Sequence, residues 1–201
     1  TTFKYINKNS MKKIQISLII LSTSLFFTAC KDNVKVEPVE PVQVDTVKTE
    51  VVDTAAVKKQ IAAEKETLVK PYNDTEDAQA KLNELVAQAN KEGKNVFVQA
   101  GGNWCIWCLR FNDFVQKNQE IKAVVDANYI YYHLNYSKEN KNEAVFAKYV
   151  PNSKGLGYPF FFILNSKGEV TNTISSADLE ANKSYDQAKV KQMFLDNAPK
   201  K

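Results

Sequence analysis

Cys105 and Cys108 stand three residues apart in the stretch GGNWCIWCLRF (101–111), and their setting narrows the fold more than any other part of the chain. Just before them, NVFVQ (95–99) is short and rich in β-formers, and Ala100-Gly101-Gly102-Asn103 turns the chain. From Cys105 onward, Cys108, Phe111 and Phe114/Val115 follow helical spacing, so the second sulfur lies one turn along the same face as the first. The pattern predicts a strand, a tight turn and a helix that opens at a thiol pair. Such a pair can hold a metal, staple the fold or carry redox chemistry.

Each alternative has requirements. A zinc site needs about four ligands, usually two Cys/His pairs. The remaining candidates are His133, in a predicted strand, and Cys30, near the chain start, so no metal is expected. A c-type haem needs His directly after the second Cys, where Leu109 stands. A purely structural disulfide suits an exported protein, but so short a loop constrains the unfolded chain little. Redox chemistry is the reading that uses the position: at a helix N-terminus, unpaired N–H groups and the macrodipole favour an anion. Cys105 is then the nucleophile and Cys108 the resolving thiol. His133 is expected to be a strand residue with a local partner rather than a catalytic base.

The rest of the domain reads as alternating elements. Asp74 or Thr75 can cap a helix carrying Ala78, Leu82, Leu85, Val86 and Ala89 on one face, with Gly93 as its stop. After the cysteine helix come a second helical piece at 119–127, a strand at 129–135 and a helix at 143–149. Strands at 160–164 and 170–174 follow, joined through Asn165-Ser166-Lys167-Gly168, and a last helix covers 185–197. This order describes an α/β mixed sheet with helices on its faces.

A strand, Trp-Cys-x-x-Cys opening a helix, and Tyr158-Pro159 directly before a hairpin together resemble the thioredoxin family over about residues 75 to 200. The Trp104-Cys105-Ile106-Trp107-Cys108 form is most similar to exported bacterial thiol:disulfide interchange domains and their lipoprotein relatives. The resemblance implies the thioredoxin fold, a redox-active Cys105–Cys108 disulfide and no cofactor. It also implies a cis Tyr158-Pro159 peptide against the sulfurs, with Tyr158 offering its backbone to an extended substrate. Trp104 is expected to pack and to frame the site, while Trp107 either shields Cys108, touches substrate or covers the helix end; with Tyr158 and Pro159 these are the expected substrate-binding residues. One position departs: thioredoxins carry a buried Asp six residues before the first Cys, and here that residue is Gln99, which cannot accept a proton.

The first part of the chain is of another kind. Met11, Lys12 and Lys13 precede an apolar run from Ile14 to Phe27, then Thr28 and Ala29, which is the order of a secretory signal. The run is too short for a comfortable membrane span of about 20 residues. Phe27-Thr28-Ala29-Cys30 resembles the lipobox of bacterial lipoproteins, with Phe27 where Leu is usual, and this implies lipidation of Cys30. From Lys31 to about Thr54, Val alternates with Lys, Glu, Asp and Pro, without Gly or aromatic residues, which reads as an extended tether. Residues 55–69 read as a short helix ended by Pro71. The expected divisions are thus 1–29 (upstream residues and signal), 30–73 (lipidated Cys and tether) and 74–201 (the thioredoxin-like domain).

Charge adds one exclusion. The net charge of +4 is due to Lys4, Lys8, Lys12 and Lys13, and without residues 1–29 the chain holds 23 basic and 23 acidic residues. Nucleic acid is not an expected partner. The expected activity is that of a periplasm-facing, lipid-anchored thiol-disulfide oxidoreductase reducing exported proteins, recharged by an upstream thiol protein. The alternative is a non-enzymatic lipid-anchored binding module whose disulfide is inert.

Overall fold

Residues 54–200 are described by a computed structural model. The expected signal segment, Cys30 and the expected tether up to residue 53 lie outside the described residues. Helix α1 (Thr54–Thr67) has no buried residue. A helix that buries no side chain gains little from packing, and this one is held by side-chain bonds described below. No described helix is long and apolar enough to cross a membrane.

Helix α2 (Ala78–Glu92) starts later than the sequence suggests, because Asp77 caps it, its carboxylate accepting from Ala80 N at 3.0 Å. Asn73 instead turns the chain, its Oδ1 accepting from the N–H and hydroxyl of Thr75. Gly93 ends the helix at φ 65°, a left-handed conformation that glycine adopts at no steric cost. Strand β1 (Asn95–Gly101) follows, buried along its whole length, then α3 (Ile106–Lys117) and α4 (Gln119–Asn128). β2 (Tyr129–Asn135), α5 (Glu143–Tyr149), β3 (Phe160–Leu164) and β4 (Val170–Ser175) come next, close to their expected bounds.

A ribbon that no sequence pattern announces follows: β5 (Glu180–Ala181) and β6 (Ser184–Tyr185), antiparallel, turning through Asn182 at φ 56°. Two-residue strands leave almost no alternation to detect. They take Tyr185 out of the expected last helix, and α6 (Gln187–Asp196) begins after Asp186, whose carboxylate accepts from Lys189 N.

The four-stranded sheet has the order β2-β1-β3-β4, with β1 and β2 parallel and the other pairs antiparallel. Alternation along β1 and β3 builds two cores. Val96, Val98, Ala100, Phe160, Phe162 and Leu164 face α2 and α5. On the opposite side Phe97, Phe161 and Ile163 pack with Phe111 and Val115 of α3 and with Val190 and Phe194 of α6. Because β1 and β3 are covered on both faces, they read as continuous apolar runs. The one polar interruption, Gln99, is fully buried and lies on the α3 side, beneath the cysteine pair.

Candidate active site

The two cysteines form a disulfide. Cys105 is the N-cap of α3, and its Sγ accepts from Cys108 N at 3.1 Å. Helix starts leave backbone N–H groups without intrahelical partners, so a thiolate at Cys105 would meet donors already aimed at it. Burial differs in the order that position implies: Cys105 keeps 6% exposure and Cys108 none. The Lys65 ammonium, reaching over from α1, donates to Trp104 O at 2.6 Å, one peptide from Cys105. Alongside it, Arg110 holds Glu64 through two bonds of 2.7 and 2.6 Å, and this pairing keeps the Glu64 carboxyl below its usual range.

The flanking aromatic residues occupy two sides of the pair. Trp104 is half-exposed, donates its indole N–H to Tyr136 O at 2.6 Å, and meets Tyr158 edge-on at 5.6 Å. The Tyr158-Pro159 peptide is cis, and Tyr158 O lies 3.5 Å from Cys105 Sγ. Trp107 sits on the other side, edge-on to Tyr185 at 5.7 Å, with the Arg110 guanidinium 4.9 Å from its ring centre. The Tyr185 hydroxyl donates to Trp107 O at 3.0 Å. The ribbon that the sequence did not announce therefore seats Trp107.

Behind Cys108 lies a polar cluster. Gln99 donates to Cys108 O at 2.9 Å and to the Tyr72 hydroxyl at 2.6 Å, while Tyr131 donates to Gln99 Oε1 at 2.5 Å. Tyr72, from the loop after α1, is 4% exposed and packs in one cluster with both cysteines. Asn103 pins it there, accepting from Tyr72 N at 3.1 Å and donating to Tyr72 O at 2.8 Å. Tyr72 went unnoticed in the sequence, although it is the first aromatic residue after Phe27 and follows Pro71. Tyr131 was hidden by its strand, where it is one of three tyrosines, the other two bonded to Phe194 O and Glu76.

His133 belongs to the same neighbourhood. Its ring packs against Tyr72 at 5.1 Å and Tyr131 at 4.9 Å, and its buried Nε2 has no hydrogen-bond partner. Its local partners are rings rather than polar groups. Desolvation pushes its pKa down to about 4, so it is neutral at pH 7. An unfolded His binds a proton below about pH 6.5, and the folded protein resists this until about pH 4. The stability due to the neutral ring is therefore present above pH 6.5 and is lost as the pH falls toward 4. Thermal melts across that window should show a falling midpoint, and a folded His133→Gln variant should show a flatter profile. An equally steep profile in the variant would assign the acid sensitivity to other groups.

Gly101 makes the crowding concrete. A Cβ there would stand 2.5 Å from Cys108 Sγ and 2.9 Å from Tyr72 Oη. Gly101→Ala should thus cost about 1–3 kcal/mol by overpacking and loosen the sulfur pair. The denaturation midpoint and the equilibrium of the pair in a glutathione buffer should both move, and a neutral result would mean that Tyr72 has room to retreat.

Residues 77–166, from the cap of α2 through β3, match a family model described as thioredoxin-like. The chain carries a thioredoxin-like domain. Among solved structures, a disulphide isomerase from Xylella fastidiosa Temecula1 superposes with a TM-score of 0.54 at 19% identity, covering 64% of this chain and 97% of that one. The oxidised C-terminal domain of DsbD from Neisseria meningitidis also matches, with a TM-score of 0.41 at 19% identity, over 59% of this chain and 95% of that one. So does a DsbH oxidoreductase, at 0.41 and 17%, over 56% and 81%. No curated protein matches this chain. The thioredoxin-like domain thus has its sulfur pair at the junction of β1 and α3, and no group of three or more His, Cys, Asp or Glu among the described residues forms a metal site.

Proposed function

We propose that this protein is a membrane-tethered, periplasm-facing thiol-disulfide oxidoreductase that reduces disulfides of exported proteins. The observation that carries the reading is the inequality of the two sulfurs: Cys105 caps α3 beside the half-exposed Trp104 and the Tyr158 carbonyl, and Cys108 is fully enclosed. In the reduced protein the Cys105 thiolate attacks one sulfur of a substrate disulfide. A bond forms between Cys105 and that sulfur, and the other substrate sulfur leaves as a thiolate. Cys108 then attacks Cys105, the internal disulfide closes, and the second substrate sulfur is released. Two electrons pass to the substrate, and an upstream dithiol protein must return two.

The substrate chain runs along Tyr158, its backbone meeting the Tyr158 peptide, with Trp104 and Trp107 on either side. Beside Tyr158 a groove lined by Tyr136, Phe146, Val150, Pro151 and Phe160 offers apolar surface for a neighbouring side chain of the substrate. The divisions at 1–29, 30–73 and 74–201 belong to the same reading, with the end of the second packed on the third through Glu64, Lys65 and Tyr72, as does the lipid on Cys30. Reduction of a model disulfide such as insulin by the purified protein, coupled to dithiothreitol, tests the activity. A reduced protein whose thiols resist alkylation below neutral pH and that leaves insulin intact would be an inert scaffold.

Anchoring is tested separately. The protein should fractionate with membranes through its acyl chains, and Cys30→Ala, expressed in a bacterium with two membranes, should release it to the periplasmic fraction. An unchanged membrane fraction would count against the lipid.

A further inference from the structure

In the thioredoxin-like domain the resolving sulfur has no carboxylate behind it, and the cluster at Gln99 shows what stands there instead. The hydrogen bonds fix which way each group points. Gln99 Nε2 must face the Cys108 carbonyl oxygen, since a flipped amide would set oxygen against oxygen, and Tyr131 supplies the hydrogen that Oε1 accepts. The second Nε2 hydrogen is spent on the Tyr72 oxygen. Tyr72 is therefore an acceptor toward Gln99, and its own hydrogen points elsewhere. Tyr72 Oη and Cys108 Sγ both border the space left by the absent Cβ of Gly101, 2.9 and 2.5 Å from the position that atom would take, and the two residues share one buried cluster; in the disulfide form no hydrogen bond joins them.

We propose that the Tyr72 hydroxyl donates a hydrogen bond to the Cys108 sulfur when that sulfur is a thiolate, so that Tyr72 is a catalytic residue of the resolving step. The proposal rests on the oxidoreductase reading. A carboxylate would accept the Cys108 proton, whereas a phenol stabilises the anion that remains. Cys108 gives up its proton, which passes in the net step to the departing substrate sulfur, and the Cys108 thiolate attacks Cys105. The Cys105–Cys108 bond forms, the bond from Cys105 to substrate breaks, and the departing substrate thiolate takes up a proton. Tyr72 keeps its own hydrogen throughout. Burial favours this division of labour, because desolvation raises the Tyr72 pKa well above the ordinary phenol value.

The groups that face this pair do not offer a stronger alternative. Tyr131 and His133 approach from β2, Tyr185 from β6, Tyr158 from the loop before β3, and Cys105 from α3. All are uncharged at neutral pH while Cys105 is in a disulfide. His133, the strongest base among them, touches Tyr72 through its ring, and its Nε2 makes no hydrogen bond, so no hydrogen-bonded path leads to it from Cys108.

The test uses the full chain with Cys30→Ala and Cys105→Ser, which leaves Cys108 as the sole thiol. Titration of thiolate absorbance at 240 nm should show the Cys108 midpoint rising by about one pH unit on Tyr72→Phe, the size of one charge-assisted hydrogen bond. In chains with both active-site cysteines, Tyr72→Phe should slow decay of the mixed disulfide about tenfold, one pH unit's worth, and leave the first attack by Cys105 unchanged. Asn103→Ala, which unpins Tyr72 without removing a hydroxyl, should shift the Cys108 midpoint in the same direction by less, and it keeps the test alive if Tyr72→Phe does not fold. An unmoved midpoint in folded variants overturns the proposal, as does an equal shift on Tyr131→Phe, which would assign the effect to the network at large. Because the titration needs no substrate, failure of the wild-type protein to reduce insulin would defeat the oxidoreductase reading alone.

Discussion

Cys105→Ser should abolish disulfide reduction, by at least a factor of about 1,000, since a serine hydroxyl at neutral pH is a far weaker nucleophile than a thiolate. Cys108→Ser should fail differently. Its Cys105 keeps the helix N-terminus and the Lys65 ammonium one peptide away, so the first attack proceeds. With no second thiol, the mixed disulfide has no internal exit. Expressed as the full chain in a bacterium with two membranes, the Cys108→Ser protein should accumulate covalent complexes that non-reducing gels reveal and dithiothreitol dissolves. The trapped proteins would name the substrates. Equal trapping by both variants would show that the sulfurs are interchangeable and that the burial difference has no mechanistic weight.

The parts of this site that sequence made legible are those governed by local rules. The strand, the turn at Gly101-Gly102 and the helix from Cys105 are each encoded within a few residues, as are the stop at Gly93 and the strands at 129–135 and 160–164. What stayed hidden depends on distant partners. Tyr72 is separated from Gln99 by 27 residues and from Asn103 by 31, and no periodicity links them. The contact of α1 with α3 includes an ion pair, Glu64 with Arg110, that looks in sequence like two ordinary surface charges. The β5–β6 ribbon is too short to leave a pattern, yet it positions Tyr185 against Trp107 and Phe111. Gln99 was legible only as a missing acid. In the fold it is a strut with three bonds, and its side chain would have to give up two donated hydrogens to become a base.

That difference makes Gln99 a sensitive polar position in the core. Gln99→Leu preserves volume and apolar packing beneath α3, so a loss of stability would report on hydrogen bonds rather than on a cavity. The Tyr131 hydroxyl would lose its acceptor, Tyr72 its donor and the Cys108 carbonyl one of its bonds. Leaving buried groups unpaired costs about 1–3 kcal/mol each, less where water or a helical partner remains, so a total of about 2–4 kcal/mol is expected. For a folded unit of this size the thermal midpoint should fall by roughly 5–12 °C. The same variant frees Tyr72 to rotate, so resolution should slow even where the protein is fully folded. Differential scanning calorimetry and mixed-disulfide decay, measured well below the midpoint, separate the two effects. A stable variant with normal decay would mean that Gln99 merely fills space, and that Tyr72 finds Cys108 without its help.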